Sequence, residues 1–298
     1  MTRFLFIAAT LIWGTTWYAI ALEVGPVPVL VSVFYRFAAA AVIFLAALAL
    51  MGRLKLPTRD QHIWIFGQAL TLFSLNFLCF YTAEASVPSG LVSVIFSLAT
   101  IFNALNARLF FGERITARVL IASGLGIAAL ALLFGRDILG AEGTGMLQGA
   151  GLAMLGTYLF SLGNMISRRN SAHGLGPVTA NAWGMGYGAL ILLALITVTG
   201  TPIVAPPSAT YTAAALYLAV IGSILGFTAY LTLVARIGSA KAAYTTVLYP
   251  IVALAISTVF EGYEWHWTGV LGLALALAGN LVMFAKPRPA AAPLRAAS

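Results

Sequence analysis

Ten apolar stretches, each near the roughly twenty residues that cross a bilayer as a helix, follow one another with little sequence between them. They cover about residues 4–22, 28–50, 62–83, 89–110, 116–134, 145–166, 177–199, 210–234, 239–260 and 266–285. Only 8% of the residues are charged, whereas a soluble domain has about 25%. A water-soluble globule is therefore excluded. We predict an all-α integral membrane protein with ten transmembrane helices, the first retained rather than removed as a signal peptide.

The basic residues predict the orientation of these spans. With the N-terminus inside, fourteen of the sixteen Lys and Arg residues fall in cytoplasmic segments, Arg136 falls outside and Arg36 falls within a span. This bias follows the positive-inside rule and argues against a nucleic-acid-binding patch, so we expect membrane lipid and no nucleic acid as partners. Both termini are predicted to be cytoplasmic.

An internal repeat relates the two halves of the chain. Leu98, Ile101, Phe110 and Gly112 recur 150 positions later as Leu248, Ile251, Phe260 and Gly262. Five spans is an odd number, so the second repeat would enter the membrane upside down. We predict one five-helix repeat over residues 1–137, an inverted one over 143–286, and a disordered cytoplasmic tail over 287–298. Inverted repeats are a recurrent design of secondary transporters, with the substrate site near the midplane.

Several short motifs resemble those of the EamA-type members of the drug/metabolite transporter superfamily. They are Ile12–Trp17, Arg36, the Ser-rich start of span four, Phe111–Arg114, and Tyr249-Pro250 leading to Phe260–Tyr263. The resemblance covers nearly the whole chain and implies a ten-helix carrier of two inverted repeats around a central cavity, in a family many of whose members export amino acids or other metabolites. One position departs from the family pattern: Thr100 stands where a proline equivalent to Pro250 is expected, which puts the kink of span four in doubt.

Polar and aromatic side chains share faces on the spans that would line a transport path. One such stripe follows span six, with residues spaced three or four apart. For single Ser and Thr residues, bonding to their own helix or between helices is an alternative. The predicted substrate-binding set is Thr16, Trp17, Arg36, Asn76, Phe80, Tyr81, Phe96, Thr100, Tyr158, Ser161, Asn164, Trp183, Tyr244 and Thr245, with Glu84, Lys241 and Pro250 as gating or mouth residues.

Arg36 is the most unusual residue of the set, because a charge inside a span usually faces the protein interior or a watery cavity. Two roles are open for it: pairing with helix carbonyls and Glu23 or Glu84, or binding a carboxylate of the substrate. No acid lies in the middle of any predicted span. Since ion-coupled carriers usually keep an intramembrane acid, we predict uniport or exchange.

The function predicted from these features is export of amino acids, including aromatic and other apolar ones, by alternating access. The alternatives are export of another small metabolite or drug, such as a nucleobase or a cationic compound, or a channel. An enzyme is disfavoured, because the three histidines sit at span ends on different helices. We expect no catalytic residues, metal or cofactor, and either a monomer or a homodimer through spans five and ten, where Gly124 with Ala128 and Gly272 with Ala276 permit close helix contact.

Overall fold

The computed structural model describes residues 2–138, 143–237 and 244–284. The first half contains α1 (Thr2–Ala21), α2 (Val29–Leu50), α3 (Arg59–Leu72), α4 (Leu75–Ala83), α5 (Ser89–Ser97), α6 (Ala99–Phe111) and α7 (Ala117–Ile138). The second half contains α8 (Gly143–Ala172), α9 (Pro177–Thr199), α10 (Ala209–Tyr217), a π-helical segment (Leu218–Leu225), α11 (Gly226–Ile237), α12 (Tyr244–Phe260) and α13 (Trp267–Phe284). Within these ranges the prediction of an all-α chain is confirmed.

Seven helical segments of the described chain are long and apolar enough to cross a membrane. They are Arg3–Ala21, Val29–Leu50, Arg59–Ala83, Ser89–Phe111, Thr144–Ala172, Pro177–Thr199 and Ala209–Leu233, and shorter apolar helices cover Ala117–Leu133, Leu248–Phe260 and Trp267–Val282. Large apolar side chains on their outer faces are exposed, such as Leu109 and Ile127. Exposed apolar surface on this scale requires a lipid environment.

Two predicted spans are interrupted near their middle. Span three breaks at Ser74, whose hydroxyl donates to the carbonyl oxygens of Ala69 and Leu70 at 3.0 and 2.9 Å. Span four breaks at Leu98, between α5 and α6. The break in span four therefore forms without a proline at Thr100. Each break allows the two halves of a span to point in slightly different directions.

The π-helical segment, Leu218–Leu225, interrupts span eight. A π-helix leaves backbone carbonyls out of the regular α ladder, and such segments are frequent at functional sites. One of these carbonyls, that of Gly222, accepts a hydrogen bond of 3.1 Å from the indole Nε1 of Trp13.

Most of the extensive helix contacts join the two halves of the chain. The helix α1 packs on α11 and α12, α2 packs on α9, and α3 and α4 pack on α8. The helices α5 and α6 pack on α12 and α8, respectively, and α7 packs on α13. The interior is therefore shared between the halves.

Glycines in left-handed conformation end two helices at positions that the repeat relates. Gly112 (φ 69°) follows α6 and Gly262 (φ 68°) follows α12. Glycine adopts this conformation without the steric cost that other residues incur, and it commonly ends helices.

The last helices of the two halves pack closely on each other. A Cβ added at Gly272 of α13 would lie 2.6 Å from Leu133 Cγ and 3.0 Å from the Ala129 carbonyl oxygen of α7. A Cβ added at Gly124, by contrast, would meet nothing within 4 Å. The small residues of α13 therefore serve a contact within the chain, while Gly124 on α7 lies open.

Candidate functional site

A central cavity lies where helices from both halves meet. The side chains that line it are Trp13, Thr16, Trp17, Ile20, Arg36, Asn76, Phe77, Phe80, Phe96, Phe160 and Phe227. They come from α1, α2, α4, α5, α8 and α11. The lining is mostly aromatic, with Arg36 as its charged member.

Aromatic contacts, most of them edge-to-face, form the cavity walls. The ring of Trp17 lies 5.3 Å from the rings of both Phe80 and Phe96. The ring of Trp13 lies 4.9 Å from that of Phe227, and Phe96 lies 4.7 Å from Phe160. Separations of 4.5–7 Å are typical of favourable aromatic pairs. These walls suit an apolar or aromatic group.

Arg36 is held in the cavity wall by neutral groups on three sides. Its side chain is 2% exposed, and its guanidinium lies over the ring of Phe77, 4.3 Å from the centroid. Its Nε donates to Ser223 Oγ at 3.0 Å, in the π-helical segment, and its Nη1 donates to Tyr81 Oη at 3.5 Å. The cation therefore keeps donors that a bound anion can use, since a guanidinium has five N–H groups.

Tyr81 connects Arg36 to a buried carboxyl group. The Tyr81 hydroxyl donates to Glu23 Oε2 at 2.8 Å, and Glu23, in the loop between α1 and α2, is 0% exposed. Burial raises the pKa of Glu23 from 4.5 to about 7, against the lowering effects of the Tyr81 hydrogen bond and the Arg36 charge. Of the two sequence-based alternatives for Arg36, a link to Glu23 is present through Tyr81, and the guanidinium also lines the cavity.

Two polar side chains in the cavity wall have unused hydrogen-bonding groups. Asn76 is 0% exposed, and neither its Oδ1 nor its Nδ2 has a hydrogen-bond partner among the described residues. The indole Nε1 of Trp17 is likewise buried and without a partner there. A buried polar group without a partner costs about 1–3 kcal/mol. Such a cost is expected where a ligand supplies the missing partner.

A second buried carboxyl group, Glu84, follows α4. Both of its oxygens are buried and accept no hydrogen bond within the described chain. Its pKa is raised well above the usual value, first by burial and then by the charge of Glu261. Glu261 accepts a hydrogen bond from the Ser89 hydroxyl at the start of α5. Burial therefore favours the uncharged form of Glu84.

The structure brings six of the predicted substrate-binding residues together in this cavity, with a seventh, Tyr81, behind Arg36. The six are Thr16, Trp17, Arg36, Asn76, Phe80 and Phe96.

Three polar residues of the predicted set instead bond to neighbouring helices. Thr100 donates to Asn280 Oδ1 of α13 at 2.8 Å. Ser161 accepts a 2.9 Å hydrogen bond from Asn106, and Asn164 donates to Asn103 at 3.4 Å. The stripe predicted on span six thus lies against α6, outside the cavity lining.

The other predicted residues that the structure describes lie outside the cavity lining. Tyr158 is exposed, and its ring lies 5.7 Å from that of Phe102. Trp183 donates to the Lys55 carbonyl oxygen at 3.0 Å. Thr245 accepts a 2.7 Å hydrogen bond from Tyr249. Pro250 lies inside α12.

The Tyr244 side chain and Lys241 fall outside the described residues.

Seven residues described here are absent from the predicted substrate-binding set: Trp13, Ile20, Phe77, Phe160, Phe227, Ser223 and Glu23. Phe77, Phe160 and Phe227 gave no signal beyond apolar character, and Ser223 depends on a π-helical register that no motif marks. Glu23 enters the sequence analysis only as a partner of Arg36, because a residue in a loop is expected to be exposed to solvent.

One family model matches most of the chain. It describes the EamA-like transporter family and matches residues 1–135 and 147–285. One solved crystal structure resembles the chain with a TM-score of 0.67 at 18% identity, covering 95% of this chain and 96% of the other. At this identity the likeness is one of fold alone.

Three curated relatives have informative names. The chain is 28% identical over 289 residues to the "Uncharacterized inner membrane transporter YedA" of Escherichia coli, covering 94% of this chain and 92% of that protein. It is 27% identical over 203 residues to the "Probable terminal-alkyne amino-acid exporter" of Streptantibioticus cattleyicolor, covering 67% and 65%. It is 22% identical over 285 residues to the "Probable amino-acid metabolite efflux pump" of Escherichia coli, covering 90% and 89%. With the apolar helices, these similarities identify a multi-pass membrane protein.

Proposed function

Because this chain belongs to the EamA-like transporter family, we propose that it is a secondary transporter that exports amino acids with aromatic or other apolar side chains. The observation that carries the proposal is the cavity itself. It combines one buried cation, two polar side chains with buried groups that have no partner among the described residues, and aromatic walls. An amino acid has a matching group for each: a carboxylate for Arg36, hydrogen-bonding atoms for Asn76, and a side chain for the rings.

Each contact in the proposed complex has a physical reason. A guanidinium binds a carboxylate through paired N–H donors, which gives a strong, oriented hydrogen bond. Asn76 can accept from an ammonium group and donate to a carboxylate. Cation–π contacts with the rings of Trp17 and Phe80 also stabilise the ammonium group. A purely cationic compound is a poorer fit, because Arg36 would repel it.

We propose a ten-helix architecture of two inverted repeats around this cavity. The helix contacts support it, because exchanging each helix for its counterpart in the other half reproduces the most extensive pairs. For example, α1 on α12 corresponds to α8 on α6, and α1 on α11 corresponds to α8 on α4. The domain boundaries remain as predicted from the repeat, at residues 1–137 and 143–286.

The proposed orientation has both termini in the cytoplasm of a bacterial cell, in its inner membrane. The distribution of basic residues supports it, as does the clustering of Glu23, Glu84 and Glu261 in loops that would face outward. A homodimer through spans five and ten remains a prediction alongside a monomer. The open position of Gly124 is the feature of α7 that supports a dimer.

For the transport cycle we propose alternating access, with exchange as its simplest form. Uniport or exchange follows from the absence of acids within the spans. Exchange is also compatible with the buried carboxyl groups. Any proton that leaves the cell with an exported substrate molecule returns with the molecule that enters in exchange.

The direct test is counterflow in sealed proteoliposomes. Vesicles loaded with unlabelled L-phenylalanine should accumulate labelled L-phenylalanine transiently and saturably, and other apolar amino acids should compete more strongly than sugars or nucleobases. If no amino acid competes, the substrate proposal fails. Flux that does not saturate would instead favour a channel.

A further inference from the structure

We propose that Glu23 is a proton-binding site coupled through Tyr81 to the occupation of Arg36 by an anionic group. This inference rests on the proposed function, because it takes the carboxylate of a substrate in the central cavity as that anionic group. Its consequence is that the substrate and a proton bind together.

The first step is the connection between the cavity and Glu23. Arg36 lines the cavity, its Nη1 donates to Tyr81 Oη at 3.5 Å, and Tyr81 Oη donates to Glu23 Oε2 at 2.8 Å. The three side chains belong to α2, α4 and the loop after α1. A change of charge at the cavity face of Arg36 therefore reaches Glu23 through a single hydroxyl group.

The second step concerns charge balance in the empty cavity. One cation and one carboxylate, both fully or almost fully buried, face each other across Tyr81. Removing a charge from water is costly unless an opposite charge compensates it. While the cavity holds no ligand, each of these two buried charges is therefore partly compensated by the other.

The third step is the arrival of a second carboxylate. When it binds Arg36, two buried anions share one cation, and the excess negative charge has no solvent to screen it. A proton from water then binds Glu23 Oε1, the oxygen that is buried and has no hydrogen-bond partner within the described chain. Glu23 Oε2 continues to accept from Tyr81, so no other bond needs to change.

The remaining titratable groups near Glu23 do not compete for this proton. Arg36 and Tyr81 form the hydrogen-bonded chain described above. The other groups that interact with the charge of Glu23 are Tyr211 of α10 and Glu84 after α4. Burial, together with the charges of Glu261 and Glu23, raises the pKa of Glu84 well above its usual value, which favours its protonated form. Glu23, with a pKa near 7 in the empty cavity, is the group whose protonation changes there.

The linkage has a definite sign. Binding that takes up a proton becomes weaker as the pH rises, by at most about tenfold per pH unit for one proton. Uptake should fade well below pH 7, where Glu23 is already protonated before the ligand arrives. In a transport cycle this linkage leaves exchange unchanged but makes net efflux a symport of substrate and proton, so of the two modes proposed above only exchange is compatible with it.

The experiment measures proton uptake by the purified full chain in detergent, using a pH indicator in weakly buffered solution. The probes are L-phenylalanine, 3-phenylpropionate (a carboxylate without an ammonium group) and phenethylamine (an ammonium without a carboxylate). We expect the two carboxylates to bind with uptake of up to one proton near pH 8 and phenethylamine to cause none. Glu23→Gln should bind both carboxylates without proton uptake and with little pH dependence.

Controls separate the possible failures. Glu264→Gln, which changes an exposed carboxyl group in a loop, should keep the uptake of the natural chain. Should Glu23→Gln fail to fold, Tyr81→Phe serves instead: it removes a hydrogen bond that lowers the pKa of Glu23, so the pH profile of uptake should shift upward. Carboxylate binding without uptake, or uptake that persists in Glu23→Gln, overturns the inference and leaves the proposed function standing. Binding of none of the three probes overturns the proposed function itself.

Discussion

The indole Nε1 of Trp13 donates a 3.1 Å hydrogen bond to the carbonyl oxygen of Gly222, a residue 209 positions away. This bond ties the first helix to the π-helical segment that also holds Arg36 through Ser223. One indole therefore helps to fix the position of the cation in the cavity wall.

Replacing Trp13 with Phe keeps an aromatic ring and removes this donor. We expect a loss of about 0.5–1.5 kcal/mol in stability and a several-fold weaker binding of L-phenylalanine, because the Gly222 carbonyl loses its partner. Thermal unfolding in detergent and binding titration measure the two effects. The matched control is Trp265→Phe, which removes a 2.9 Å bond to Thr258 on an exposed tryptophan and should leave binding unchanged. An equal loss of binding in the control would contradict this role of Trp13.

Arg36→Gln tests the carboxylate contact. A hydrogen bond to a charged group contributes about 1.5–3 kcal/mol, so the Kd of L-phenylalanine should rise by roughly 10–100-fold. Binding of phenethylamine should not weaken. Arg168→Gln is the control, since its partner Glu113 lies at 2.7 Å in a pair that is about half exposed. If phenethylamine binding falls as much as that of phenylalanine, Arg36 maintains the cavity rather than binding a carboxylate.

Asn76→Leu distinguishes a ligand-binding amide from a structural one. Both polar atoms of Asn76 lack partners within the described chain, so an apolar residue of similar size should leave the empty protein as stable or more stable. Binding of L-phenylalanine should weaken, because the ligand loses its polar contacts. The companion variant Asn106→Leu breaks a 2.9 Å bond to Ser161 and should lower the unfolding temperature. A destabilised Asn76→Leu protein would count against the assignment.

Gly222→Ala should narrow the cavity. The added Cβ would lie 2.9 Å from Thr16 Cγ2 and 3.5 Å from Arg36 Nη2, so one of these groups must move. Counterflow of L-phenylalanine should fall several-fold. Gly151→Ala is the control, because a Cβ there meets nothing within 4 Å. Equal flux in the two variants would show that transport does not need the close approach of Gly222 to Thr16 and Arg36.

The pKa of Glu23 also predicts how stability depends on pH. In the folded protein this pKa is raised from 4.5 to about 7, so the folded state binds more protons than the unfolded chain between these values. The contribution of the protonated group is complete below about pH 4.5 and is lost as the pH rises through 7. Glu23→Gln should therefore be more stable than the natural chain at pH 8, by at most roughly 3 kcal/mol, with a much smaller difference at pH 5. A difference that does not change with pH, or that Glu264→Gln reproduces, would contradict the burial effect.

The sequence was sufficient for the helical spans, because long apolar runs have few alternatives. It was not sufficient for the breaks at Ser74 and Leu98 or for the π-helical segment, since neither proline nor glycine marks the two breaks. The helical periodicity correctly places Ser161 and Asn164 on one face of their helix. Periodicity does not determine which neighbouring helix covers that face. In the structure it is α6, whose amide side chains bond to both residues. Glu23 illustrates a further limit: a loop position suggests water, whereas packing of α2 and α4 around the loop buries it.

The packing of one half of the chain on the other has a consequence for how this protein is made. As the ribosome delivers α1 to α7, the groups on which they depend do not yet exist: Ser32 awaits Tyr211, 179 positions later, and Arg36 awaits Ser223, 187 positions later. A nascent chain that stalls after residue 138 therefore leaves a charged side chain in lipid with part of its hydrogen bonding missing. In such a chain Arg36 can form its hydrogen bond to Ser223 only after the π-helical segment has been synthesised.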